Sequence, residues 1–444
     1  MKFPISNFQF PISEQRGQAA PRCNSGQAAI ISILFFVAVT AVLAVSTSSS
    51  ALKEEFASRS GVLGKKGYFL SEAAQEDAIY RIFTGKPIGQ SVTLSLGGDT
   101  ATTTITNVGL DRKDITAAGN SGKNTRKTQV SLLVGEGTSF VYGVQVGAGG
   151  LVMENNSSVL GNVFSSGPIT GQNNNIVQGD VISAGPVGLI DGVHATSSAY
   201  AHTISDSLIE GDAHYQNISE TTVLGQLFPG SLDQESKPLP ITDEMIANWE
   251  VAAEAGGVIS SPCTYEIKNN ITLGPIKINC DVNISGSPTI TLTGNVWVVG
   301  NINMSNSSII RADTSMGNKS VVVIADKPSN RLTSSTIELE NNVEFFGSGE
   351  PGSYVLFVSQ NNSAESGGGN KAIEIENSAK GEVILYAPHG EVLLKNNVNL
   401  REVTAYRIRL QNNATVSYNM GLQNLLFSTG PSGGYQIIDW KEIE

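Results

Sequence analysis

Three sets of residues in this 444-residue chain have types suited to chemistry. Asp180 and Asp212 stand at equivalent places in two copies of a short repeat. A pair of carboxylates on one face is the machinery of glycoside cleavage. At the matching places elsewhere stand Asn162, Gln226, Asn295 and Asn301, and an amide cannot serve as general acid or base. A structural ladder is therefore the expected role, and no catalytic residue is assigned. The second set is His194, His202 and His214 with Asp191, Asp206 and Asp212, types that ligate zinc and related metals. The histidine spacings of eight and twelve fit neither a helix nor a strand, so ordinary polar side chains are expected, with no metal and no cofactor. No Ser-His-Asp order, phosphate-cradling Gly loop or paired-Cys zinc spacing occurs, and the expectation is a protein that is not an enzyme.

The third set is Cys263 and Cys280, with the strand-like segment 265–278 between them. The expected disulfide closes a loop of 17 residues, worth about 3 kcal/mol in the chain-entropy model. It implies an oxidising compartment. Two buried free thiols are the alternative.

The elements that must position these residues are mainly strands. With 47 Gly, 15% charged and 7% aromatic residues, and abundant Asn, Ser, Thr and Val, the chain favours strands and tight turns. A net charge of -12, with no basic cluster beyond Lys65-Lys66, argues against nucleic acid as a partner.

No charged residue lies between Arg22 and Lys53, so the stretch from Gly26 to Val45 is long and apolar enough to span a bilayer as one helix. An amphipathic stem follows, with apolar residues at Leu52, Phe56, Leu63 and Leu70 and then from Ala73 to Phe83. A bend or break is expected at Gly61, Gly64 and Gly67, and a stop at Gly85 and Pro87. Alternating segments at 92–96, 102–106, 130–134 and 140–146 predict a small antiparallel sheet.

Beyond it, residues 156–168 align without gaps onto residues 174–186, at a period of 18 that suits one coil of a solenoid. Its kernel is an aliphatic residue, any residue, Gly, then Asn, Asp or Gln, then a small or aliphatic residue. It recurs at 209–213, 223–227, 292–296 and 298–302. Residues i and i+4 of a strand share a face and can stack on their equivalents in neighbouring coils. An ordinary β-sandwich with Gly-Asn turns is the alternative.

The expected organisation is a leader at 1–26 and a transmembrane helix and stem at 27–85. A small antiparallel β region at 86–150 and a β-solenoid at 151–232 follow. A linker with a short helix at 233–262 and a second solenoid part with a closing edge strand at 263–444 complete the chain.

The N-terminal segment resembles type IV pilin-like proteins, in particular PilX-like pilus-assembly proteins. The likeness is carried by Arg22, Gly26-Gln-Ala-Ala, the apolar helix, and the stem containing Ser71-Glu-Ala-Ala-Gln-Glu-Asp-Ala-Ile-Tyr-Arg81. It covers roughly residues 20–84 and implies cleavage between Gly26 and Gln27, other pilin or pilus-assembly proteins as partners, and a helix that packs in membrane and filament. The family usually has Glu where Ile31 stands and an aromatic residue where Gln27 stands. The later repeats are similar to bactofilin-like or adhesin-like β-solenoids in architecture. The expectation is a single-pass membrane protein with its N-terminus cytoplasmic and its bulk outside, serving as a minor pilin or pilus-assembly component. The alternative is an anchored surface adhesin or polysaccharide-active β-helix protein, with surface polysaccharide as its partner.

Overall fold

The computed structural model describes residues 25–83, 88–108, 112–134, 140–419, 422, 425–428 and 435–443. The leader through Asn24, with Arg22 and Cys23, and the helix stop at Gly85 and Pro87 lie outside the described residues, as does the turn at 430–434.

Helix α1 (Ser25–Phe83) runs unbroken for 59 residues. The break expected at its three glycines does not occur. Gly64 and Gly67 lie where the helix meets a sheet, and the contact made there offsets their low helix propensity. From Ala29 to Ser48 the side chains are exposed. From Gly64 onward one face is buried, through Leu70, Ala74, Ala78, Ile79 and Ile82.

That face rests on an antiparallel sheet of β1 (Ser91–Leu96), β2 (Asp99–Val108), β3 (Arg112–Ser121) and β4 (Asn124–Val134). Ala101, Ile115, Ala117, Val130 and Leu132 meet the helix from the sheet side. The fifth strand is Tyr435–Ile443, antiparallel to β4. The edge strand assigned to the end of the 263–444 unit thus belongs to this sheet. Conversely, the segment around Val144, assigned to the small sheet, opens β5 (Val144–Met153), which pairs parallel with its neighbours.

The rest is parallel. Three rows of short strands run side by side, with each strand in register with one from the next coil. Val163 pairs with Val181, 18 residues on, and Ile190 with Ile204, 14 on. Val144, Val163, Val181, Ala199 and Ala213 stack inward, part of one continuous aliphatic interior that extends to Ile302 and Phe357. The spatial order is not the chain order. The twelve-stranded row runs from Ile271–Leu273 to Thr415–Ser417, steps back to Ser158–Leu160, and ends at Thr222–Val223. The last coil of the C-terminal half thus sits on the first coil of the N-terminal half.

Residues 230–257 must then return along the outside from one end of the stack to the other. They include α2 (Asp243–Ala255), capped by Thr242, whose side-chain oxygen accepts from Met245 N–H at 3.3 Å. Ile246 and Trp249 of α2 pack against the outward residues Val322, Ile324, Leu356, Val358 and Tyr386.

One corner of every coil from Asn341 to Asn173 is held by asparagines in the left-handed region, which tolerates Asn better than most residues. Their amides form a ladder, each Nδ2 donating to the previous Oδ1. Asn377 donates to Asn341 at 3.1 Å, and Asn396 to Asn377, Asn412 to Asn396, Asn155 to Asn412 and Asn173 to Asn155 follow, each at 3.0 Å.

Candidate functional site

The repeat kernel explains the acids first. Its Gly allows two coils to approach, since a Cβ on Gly179 would stand 2.6 Å from Gly161 O. The residue after it turns its side-chain oxygen onto the N–H of the next coil. Asn162 Oδ1 accepts from Asp180 N at 2.8 Å, Asp180 Oδ1 from Ser198 N at 3.1 Å, and Asp212 Oδ1 from Gln226 N at 2.8 Å. Asp281 Oδ1 does the same for Asn301 N at 2.7 Å. Amide and carboxylate are interchangeable in this role because only an acceptor is needed. Asp180 and Asp212 are separated by the coil of Ser198, and each is engaged with a backbone amide.

The three histidines do not converge. His194 Nε2 meets Glu210 Oε1 at 2.8 Å, and His202 Nδ1 meets Asp233 Oδ1 at 3.1 Å on the returning linker. The His214 ring is stacked between Tyr200 and Phe228, at centroid distances of 4.5 and 4.4 Å. Asp191 accepts from Ser205 Oγ, and Asp206 is exposed with φ at +47°. Among the described residues no group of three or more His, Cys, Asp or Glu side chains is arranged to hold a metal ion.

Cys263 and Cys280 are joined by a disulfide with Cα atoms 5.3 Å apart, linking the two coils at the free end of the C-terminal half. Gly26 and Gln27 lie in the first turn of α1.

The apolar helix and its seat form the most developed feature. Ala29 to Phe83 contains the helix that is apolar and long enough to cross a membrane, near the N-terminus. Below it, Gln75 Nε2 donates to Ile115 O at 3.1 Å and Thr103 Oγ1 donates to Ala74 O at 3.2 Å, so helix and sheet are joined by buried polar contacts as well as by packing. Lys66 Nζ lies 2.5 Å from Asp99 Oδ2 and holds that carboxyl below its ordinary range.

Polar contacts beside α2, and a buried carboxyl at Glu402, carry no signature in the sequence. His389 bridges Asp243, 3.2 Å away, and Glu365, 2.6 Å away. Asp326, fully buried, takes both branches of Arg331 at 2.8 and 2.7 Å beside Glu250. Glu402 is fully buried with Thr404 as its hydroxyl partner, and burial pushes its carboxyl well up. His389 and Asp243 are 146 residues apart, so no local pattern could announce them.

Fold and site together define a mainly β protein with an N-terminal helix, apolar in its first half and seated on an antiparallel sheet in its second, and with long parallel sheets beyond it. No family description matches the chain, and no curated protein matches it. Among solved structures, the competence-associated pilin ComZ from Thermus thermophilus aligns over 86% of this chain and 97% of its own, at 10% identity and a TM-score of 0.35.

Proposed function

We propose that this protein is a structural component of the cell envelope, a minor pilin or pilus-assembly protein, in which α1 anchors a β-solenoid outside the membrane. The observation that carries the reading is the continuity of α1. One helix passes from an exposed apolar half into a half with one buried face that seats it on the antiparallel sheet, so a single continuous helix would couple membrane and β domain. The three rows of parallel strands and the closed aliphatic interior support a three-sided solenoid. Twelve strands at ~4.8 Å spacing make it about 55 Å long.

The role is mechanical and not enzymatic. The apolar half sits in the membrane or packs with the helices of other pilus components, and the stack offers an acidic outer surface for assembly or adhesion. The disulfide supports an oxidising, extracytoplasmic location for the bulk and a cytoplasmic N-terminus. Mass measurement of the mature N-terminus tests the pilin reading. A chain beginning at Gln27 supports it, whereas cleavage near Ser46 or retention of Met1 turns the protein into a plain secreted or anchored adhesin.

A further inference from the structure

The asparagine ladder stops at Asn173 and Asn174, and what lies beyond it is a groove. In that coil four residues, Gln172 to Asn175, turn the corner between the strands Ile169–Gly171 and Ile176–Val177. In the next coil Gly192 and Val193 alone join Leu189–Asp191 to His194–Ala195. The corner recedes, leaving an open cavity of about 400 Å³ above the last amides. That is within the range of small-ligand sites.

Its walls are of two kinds. On one side Asn173 and Asn174 end their rows: each donates Nδ2 backward, at 3.0 and 3.3 Å, and neither Oδ1 receives a donor on its far side among the described residues. Asn175, 4% exposed, donates Nδ2 to Gly192 O at 2.8 Å and leaves its own Oδ1 without a partner. Asp206 adds a carboxylate. On the other side Ile176, His194 and Leu208 form an apolar strip, with the imidazole fixed by Glu210.

We propose that this groove binds a neutral saccharide unit of an envelope or surface polysaccharide. A pyranose presents both faces the groove requires. Its hydroxyls donate to the acceptors that the missing asparagine pair would have filled, and its C–H face lies on Ile176, His194 and Leu208. The carboxylates of Asp206 and Glu210 disfavour an acidic sugar by like-charge repulsion. A single carboxylate among amides is a poor cage for calcium, which takes several carboxylate or carbonyl oxygens. The site stands apart from α1, and the proposal does not depend on the pilin reading.

The full chain in detergent micelles is titrated with cellohexaose, maltohexaose, chitohexaose and an oligogalacturonate of equal length, read by saturation-transfer NMR and calorimetry. At least one neutral hexamer binds, the anionic one binds more weakly, and the His194→Ala/Asp206→Asn double variant weakens binding by roughly tenfold or more. Asn keeps the positive φ of +47° at position 206, so the variant retains the wild-type melting temperature. The proposal is overturned if no neutral hexamer binds, if the folded double variant binds as wild type does, or if the anionic oligomer binds more tightly.

Discussion

Gly119 of β3 lies directly against Gly67 of α1: a Cβ on Gly119 would stand 2.1 Å from Gly67 O and 2.6 Å from Ser71 N. Backbone meets backbone there, and neither partner can step aside as a flexible side chain would. The rod is thereby seated on the sheet at one fixed point, with Leu70 and Ala74 below it.

Gly119→Ala is therefore expected to lift α1 from the sheet and destabilise their union by about 1–3 kcal/mol, the range of overpacked cores. Gly61 has nothing within 4 Å of its Cβ position, and Gly61→Ala should stabilise the helix by up to about 1 kcal/mol. Urea unfolding of the two variants reads the opposite signs. Equal stability of Gly119→Ala and wild type would remove the close approach from the account.

Asp180 gives a second pair of variants. Asp180→Asn keeps the acceptor that Ser198 N requires, as Asn162 does one coil earlier, and should leave the melting curve unchanged. Asp180→Ala leaves the Ser198 N–H without its partner and should cost about 1–3 kcal/mol. A polysaccharide-cleaving activity lost in both variants while Asp180→Asn stays folded would instead assign the carboxylate a chemical role.

The mainly β character, the apolar N-terminal helix and the 18-residue register were legible because each is local. Val163 and Val181 align in the sequence as they pair in space. The kernel's aliphatic positions, such as Val298 and Ile302, are buried, and Leu227 is 54% exposed only because its coil ends the stack. Three things were not legible. Ser158 and Thr415 share a hydrogen bond across 257 residues, at the joint between the two halves. The pairing of Tyr435–Ile443 with β4 spans most of the chain. The glycines of α1 read as breakers because their value lies in a sheet that helix propensity cannot see. The groove beyond Asn173 and Asn174 is a separate case: its corner is two residues shorter than the one before it, which shows in the sequence only once the coils are aligned.

The Cys263–Cys280 disulfide ties the terminal coil to the next one, so its loss should act locally. Reduction or the Cys263→Ser/Cys280→Ser variant removes roughly 3 kcal/mol in the chain-entropy model for a loop of this size. Hydrogen exchange should rise across 258–284 and stay unchanged in the central coil at 402–411, where Val403 and Ile408 are fully buried. Uniform acceleration through the whole stack would contradict a local role.

The carboxyl of Glu250 on α2 is pushed up to about 8, first by burial and then by the neighbouring Asp326, with Arg331 and Lys277 opposing. In the unfolded chain the same group titrates near 4.3. Between these values the folded state holds a proton that the unfolded state has released, so stability falls as pH rises through the interval and levels off above the folded value. One group can contribute a slope of at most about 1.4 kcal/mol per pH unit. Glu250→Gln mimics the protonated form, and its advantage over wild type should be absent near pH 4, grow from pH 5 to 8, and then hold constant. Urea midpoints of the two proteins across pH 4 to 9 measure this. A Glu250→Gln curve parallel to wild type would mean that Glu250 is already ionised in the fold.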